Sequence, residues 1–253
     1  MIQGTCKGRF LITFDDGPHT NTGLILEHLA NNQLQPDIKA LFFVQTRHAQ
    51  GGRSPLGRSL LERQHAEGHV LGLHTGTSSH VSHTSLSRSA LEQSLRDGIN
   101  DIHTITHDGT MFVRPPYWRF NSDTLAEYTR NRLHMVLSDA KAYDGVDWGF
   151  HIFRRWNFRS QLQRIYSRML NGELPTDDGI ASIVVTFHDT NTYTAHHLTE
   201  YFDLLVEEAE RVGLPLTNRP FYDTAPAIIR GALRRAITRT EVAKLKARCA
   251  EAA

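Results

Sequence analysis

Cysteine is almost absent from this chain. Cys6 and Cys249 are the only two in 253 residues, and they lie near opposite ends. Neither sits in a Cys-x-x-Cys spacing, which excludes a cysteine-based zinc site and a disulfide-stapled scaffold. A bridge tying the C-terminal tail to the body is one reading, and two unrelated thiols is the favoured one. Long hydrophobic runs are missing too: none approaches the roughly 18 apolar residues of a membrane-spanning helix. The first six residues have neither the basic start nor the apolar stretch of a secretory leader. An excess of either charge is also lacking. Lys and Arg total 28 against 27 Asp and Glu, a net charge of +1, so no bulk attraction to nucleic acid is implied. There is no internal repeat or low-complexity tract, and nothing specifies an oligomeric state.

What is present is a chain 40% hydrophobic, long enough for one large core. Short apolar runs alternate with helical patterns, which predicts an α/β fold with a parallel sheet. Strands are expected at 9–14, 40–44, 70–73, 111–113, 135–137 and 183–187. Helices are expected at 22–30 with Asn21 as cap, at 60–67, from Ser87 or Ser89 to 105, at 160–170 and at 195–212. The connection 149–180 is longer than a minimal barrel needs and carries Phe150, Phe153, Trp156, Phe158, Tyr166 and Met169. A helix packed outside the barrel is favoured there over an aromatic wall for a sugar chain. The segment 226–253 is basic, with Arg230, Arg234, Arg235, Arg239, Lys244, Lys246 and Arg248 against Glu241 and Glu251. A solvated helix face is its favoured reading.

Polar clusters stand at or soon after five of these strand ends. The first is Asp15-Asp16-Gly17-Pro18, closing the run 9–14. Two adjacent carboxylates at the end of a buried strand lose hydration and repel each other. Such a pair persists where a cation sits beside it or where one member accepts protons. In a straight strand Asp15 and Asp16 would face opposite sides, and a turn at Gly17-Pro18 lets both address one site. The other clusters are His74 to His80, Arg114-Pro115-Pro116-Tyr117, Asp144-Gly145-Val146-Asp147-Trp148, and His188-Asp189. In parallel α/β barrels, catalytic groups gather at the C-terminal strand ends. Clusters spread from Asp15 to His188 must converge, which makes 1–253 a single domain.

These motifs resemble those of the polysaccharide deacetylase family, the NodB-homology domains of carbohydrate esterase family 4. Thr13-Phe14-Asp15-Asp16-Gly17-Pro18, Arg114-Pro115-Pro116-Tyr117 and Asp144-x-x-Asp147-Trp148 match intact. His74 and His80 match the paired histidines with two extra residues between them, and Thr186-Phe187-His188 has Thr where the family has Leu. The resemblance implies a distorted (β/α) barrel with its active site at the C-terminal strand ends. It implies one divalent metal ion, Zn²⁺ being expected, held by Asp16, His74 and His80. Asp15 is then the general base and His188 the general acid, with Arg114 and Asp144 orienting them. The Tyr117 main chain after Pro116 stabilises the oxyanion, and Trp148 lines the pocket.

The register favours His80 over His83 as third ligand, because Leu86-Ser87 follows His80 by a spacing like the family's. The extra residues then fall among Gly76, Thr77, Ser78 and Ser79, which a bulged loop tolerates. Thr186 puts the shape of the acyl pocket in question. The implied activity is metal-dependent removal of acetyl groups from an N-acetylglucosamine-type polysaccharide, peptidoglycan or chitin-like. Alternatives are an O-acetyl xylan esterase, a small-amide hydrolase on the same barrel, or a catalytically silent carbohydrate-binding module. A glycosidase built on Asp15 and Asp16 is disfavoured, since neighbours at one turn cannot flank a bond at roughly 5 Å or more. Polymer substrates imply an extracytoplasmic location, with the cytoplasm as the alternative.

Overall fold

The run around Leu11 and Ile12 forms the central strand of a sheet. In a computed structural model of the chain, residues 6–145 and 150–237 are described. β1 (Lys7–Asp15) pairs in parallel with β8 (Ile180–His188) along its whole length, and with β2 (Leu41–Gln45) at its C-terminal end. Beyond β2 follow β3 (Val70–Thr75), β4 (Phe112–Val113) and β5 (His134–Met135), and beyond β8 lies β6 (Ala140–Lys141). All these pairs are parallel. β7 (Thr176–Asp177) adds antiparallel to β8, and β9 (Leu216–Phe221) runs beside the start of β1. Among the described residues no pairing joins β5 to β6, so the expected distorted barrel is an incomplete one.

Alternation along the strands builds two apolar layers. On β1, Phe10, Ile12 and Phe14 face outward to helices α1 (Thr22–Ala30), α3 (Arg88–Thr106), α5 (Arg154–Leu170) and α7 (Leu198–Arg211). Leu11 faces inward with Leu41, Phe43, Phe112 and Val184. That inner layer is closed near the N-terminal strand ends by Ile228 and Ala232 of α8 (Ala225–Arg235). Further along the same inward faces come Thr13 and Asp15 on β1 and Thr186 and His188 on β8, register partners in both cases. The period of two therefore carries the interior from an apolar floor to a polar rim.

Several element boundaries differ from the sequence expectations. α2 spans Pro55–Ala66 and starts well before 60, because Ser54 accepts from Gly57 N and Pro55 occupies the first turn. Asn21 stands at the start of α1 but does not cap it; its side chain donates to Thr190 O instead. Ser87, not Ser89, caps α3 by accepting from Ala90 N. An unanticipated helix, α4 (Ser122–Arg130), is set by a capping box between Asn121 and Thr124. α5 begins at Arg154 rather than 160, packing Phe158, Ile165 and Met169 inward while Trp156 stays 67% exposed. β6 was not anticipated either, and Asp144 follows it rather than the strand near 135. β7, β9 and the short α6 (Thr192–His196) are further elements among the described residues. Cys6 is a half-buried free thiol, and Cys249 lies outside the described residues, as do Arg239, Lys244, Lys246 and Arg248. No helix among the described residues is long and apolar enough to cross a membrane.

Candidate active site

Asp15 is the last residue of β1 and points inward. Its Oδ1 accepts from Arg114 Nη1 at 2.7 Å. Arg114, fully buried just after β4, also donates to Thr13 Oγ1, to Thr186 Oγ1 and, through Nε, to Val136 O at 2.9 Å. Thr186 Oγ1 accepts from Arg114 and shares a hydrogen bond with Thr13 Oγ1 at 3.0 Å, so the hydroxyl is satisfied in this interior. Asp16 has left the strand: its φ of 76° lies in the left-handed region, which short polar side chains tolerate best after glycine. That reversal turns Asp16 toward the same cavity as Asp15. Gly17 must be glycine, since a Cβ there would lie 2.0 Å from Asp189 Oδ2.

Asp16 Oδ1 lies 3.1 Å from His74 Nε2 and 3.4 Å from His80 Nε2, and the two ring nitrogens are 3.2 Å apart. His74 Nδ1 donates to Arg114 O at 2.8 Å. A carbonyl can only accept, so this bond places a proton on Nδ1 and turns Nε2 toward Asp16, where it can serve as a metal ligand. His80 stacks on Tyr117, with centroids 4.5 Å apart, and the Tyr117 hydroxyl donates to His80 O at 2.8 Å. Burial would raise the Asp16 carboxyl, but the hydrogen bond and charge of His74, then of His188 and His80, hold it far below the usual carboxylate range. Burial lowers the His80 imidazole despite Asp16. Three lone-pair atoms thus converge within 4.8 Å of one another. Two imidazoles with a carboxylate are a donor set that suits a divalent transition ion. The residues fit such an ion.

His83 is not part of this group. It is buried and hydrogen-bonded to Tyr128 OH at 2.6 Å, and burial pushes its imidazole down to about 3. It is therefore a neutral core histidine.

Opposite the donor set stands His188, at the end of β8. Its Nδ1 lies 2.8 Å from Asp144 Oδ1, while Asp144 Oδ2 accepts from His188 N and from Thr194 Oγ1 at 2.7 Å. Burial alone would lower the imidazole, but Asp144, followed by Asp15 and Asp16, raises it to about 9. His188 is accordingly protonated at neutral pH. Gly145 leaves room for the ring: a Cβ there would meet His188 Cε1 at 3.2 Å. Asp15, Asp16, His74, His80, His188 and Tyr117 line one cavity of about 510 Å³. A larger cavity, about 720 Å³, lies away from this chemistry around Arg47, which is paired with Asp97 and Asp101.

Of the residues singled out from sequence, Pro116 and Tyr117 form a short turn beside this cavity, with Tyr117 at φ 57°. Trp148 lies outside the described residues, together with Asp147. Sequence reasoning gave Asp189 only a place in the last cluster, with no role, and missed Lys141. Asp189 is fully buried against Thr22 Oγ1 at 2.6 Å, and burial, then the nearby Asp16, raises its carboxyl to about 7. Its position next to His188 was the available signal. Lys141 lines the cavity from β6, a strand too short to show periodicity.

An incomplete parallel barrel with acid–base groups gathered at the C-terminal ends of its strands has the layout of a barrel enzyme's active site. A sequence profile described as polysaccharide deacetylase matches residues 3–136, more than half of the chain, and the chain belongs to that family. A chitin deacetylase of Colletotrichum lindemuthianum is 25% identical over 202 residues, covering 79% of this chain and 74% of that protein. A chitin deacetylase of Arthroderma benhamiae is 30% identical over 162 residues, covering 60% of this chain but only 41% of that protein. The solved structure of the Colletotrichum lindemuthianum chitin deacetylase has a TM-score of 0.64 at 23% identity, covering 86% of this chain and 88% of that one. That of the peptidoglycan deacetylase PdaC from Bacillus subtilis has a TM-score of 0.56 at 22% identity, covering 89% and 91%. At these identities the structural likeness shows the fold.

Proposed function

We propose that the chain is a metal-dependent hydrolase that removes acetyl groups from an N-acetylglucosamine-type polysaccharide, chitin-like or peptidoglycan. The observation that carries this reading is the convergence of Asp16, His74 and His80 opposite the Asp144-held His188, with Asp15 on the same cavity wall. Relatives described as chitin deacetylases support it.

Asp16 Oδ1, His74 Nε2 and His80 Nε2 would hold one divalent ion, and Zn²⁺ fits this nitrogen and oxygen set. Bound there, the ion supplies Lewis-acid polarisation and lowers the pKa of water. Asp15 is the proton acceptor: Arg114 engages Oδ1, which leaves Oδ2 to take a proton from the attacking water. His188 is the proton donor. Asp144 occupies its Nδ1, so the proton for the departing amine comes from Nε2. Across the reaction the amide C–N bond breaks, a C–O bond forms, and one proton passes to Asp15 while another leaves His188. Arg114 and Asp144 touch no substrate and act by positioning. Tyr117 packs on His80 and holds the ligand ring. We read 1–253 as a single domain acting on a polymer outside the cytoplasm.

Acetate release from chitooligosaccharides, peptidoglycan and acetyl xylan, before and after chelation, tests the proposal. Chelation should abolish release and Zn²⁺ or another first-row divalent ion should restore it. Full activity in a verified metal-free preparation overturns the mechanism, and release from acetyl xylan alone redirects the substrate.

A further inference from the structure

Asp189 is held by the Thr22 hydroxyl, and each of the other carboxylates described at this site faces an Arg or a His. Asp15 is matched by Arg114, Asp144 by His188, and Asp16 by the two metal-site histidines. Among the described residues one charge is left over. Lys141 lines the cavity, half-buried, and among those residues its ammonium makes no ion pair or hydrogen bond. Its Nζ lies over the Trp118 ring, 3.8 Å from the centroid. Withdrawing an ammonium from water without an anion is costly, and one aromatic face recovers only part of that cost.

The position is also firmly held. β6 is an edge strand, and the buried Gln161 side chain stands where a further strand would: it accepts from Lys141 N at 2.9 Å and donates to Lys141 O at 3.0 Å. On the other side, Lys141 is the register partner of Thr186, itself a cavity residue two positions before His188. A long, mobile side chain has thus been rooted beside the reacting groups on a backbone clamped from both edges.

We propose that Lys141 is a substrate-recognition residue whose ammonium takes a carboxylate carried by the sugar next to its acetamido group. This rests on the deacetylase reading and narrows its substrate to acidic N-acetyl sugars. An anion is favoured electrostatically, because the remaining pairs are balanced and a divalent ion at Asp16 would add further positive charge. The cavity, about 510 Å³, has the volume of a site for one small ligand, so a substituent on the reacting sugar falls within it.

The experiment compares three oligosaccharides of N-acetylglucosamine: unmodified, bearing a lactyl ether with a free carboxylate on the carbon next to the acetamido group, and bearing the same ether as its neutral carboxamide. Acetate release gives kcat/KM, and calorimetry with the deacetylated products gives binding without turnover. Wild type should prefer the carboxylate over the carboxamide by about tenfold or more, the scale of a charge-assisted hydrogen bond. Lys141→Met should erase that preference and Lys141→Arg should keep most of it. The preference should shrink as salt is raised. An equal preference in wild type and Lys141→Met, or none in wild type, overturns the inference and leaves Lys141 as a packing partner of Trp118. If no substrate releases acetate, the deacetylase reading falls, while the binding ratio still decides the role of Lys141.

Discussion

Replacing Asp144 by Asn should move the alkaline side of the pH–rate profile by two pH units or more. Burial pulls the His188 imidazole down, and Asp144 is the leading group that outweighs it, raising the imidazole from 6.5 to about 9. An Asn keeps the shape and the hydrogen bonds to His188 N and Thr194 Oγ1 but carries no charge. Burial is then opposed by Asp15 and Asp16 alone, and the imidazole falls back toward its ordinary value. At pH 8 most of the wild-type His188 carries its proton, whereas only a small fraction does in Asp144→Asn. A positioned general acid is worth about 10²–10⁴ in rate, so turnover at that pH should fall by about a hundredfold. A cation at Asp16 cancels the Asp16 share of the rise, which places the wild-type limb at or below pH 9.

Stability follows the same pair. The folded-state pKa of His188 is raised, so the pair stabilises fully below pH 6.5 and that contribution is lost as pH rises through about 9. Its size is about 3 kcal/mol for this buried group. Initial rates of acetate release between pH 6 and 10, with denaturant unfolding at both ends, measure the two effects. An alkaline limb at the same pH in wild type and Asp144→Asn would refute the reasoning, and so would a pH-independent unfolding difference.

The remaining predictions concern the donor set. Asp15→Asn should retain the metal and lose about 10²–10⁴ in kcat, whereas Asp16→Asn should lose metal affinity; metal content and rate measured on both variants separate the roles, and equal metal with equal rates sinks the assignment. His80→Ala should lose bound metal. His83→Ala should keep it and instead lower stability by about 1–3 kcal/mol, because the buried Tyr128 hydroxyl loses its partner. The opposite pattern of bound metal would make His83 the ligand.

Much of the fold could be read from local pattern. The continuous apolar run in β2 and the alternation in β1 and β8 are each long enough to show their period, and each resolves as a strand near the expected limits. Boundaries slipped where side-chain chemistry intervened. Ser54 and Pro55 start α2 early, and Asn121 with Thr124 makes α4 from a stretch with little apolar signal. Of the two-residue strands, β4 and β5 fall on the runs expected at 111–113 and 135–137, whereas β6 is held by its pairing with β8 and shows no pattern of its own.

The amino-acid sequence by itself determined the family, the α/β class and the residues at the strand ends, because those signals are covalent neighbours: a carboxylate pair before Gly-Pro, an Arg before two prolines, a His closing an apolar run. Tertiary structure decided which of them meet. His80 and His83 are three residues apart and chemically identical, yet one stacks on Tyr117 beside Asp16 and the other is buried against Tyr128. Lys141 gains its meaning only from β6 lying beside β8, and Asp189 only from the space that Gly17 leaves for it. Charge, burial and lone-pair direction are properties of neighbours in space, and the sheet register brings those neighbours together from chain positions more than a hundred residues apart, as it does for Asp15 and His188.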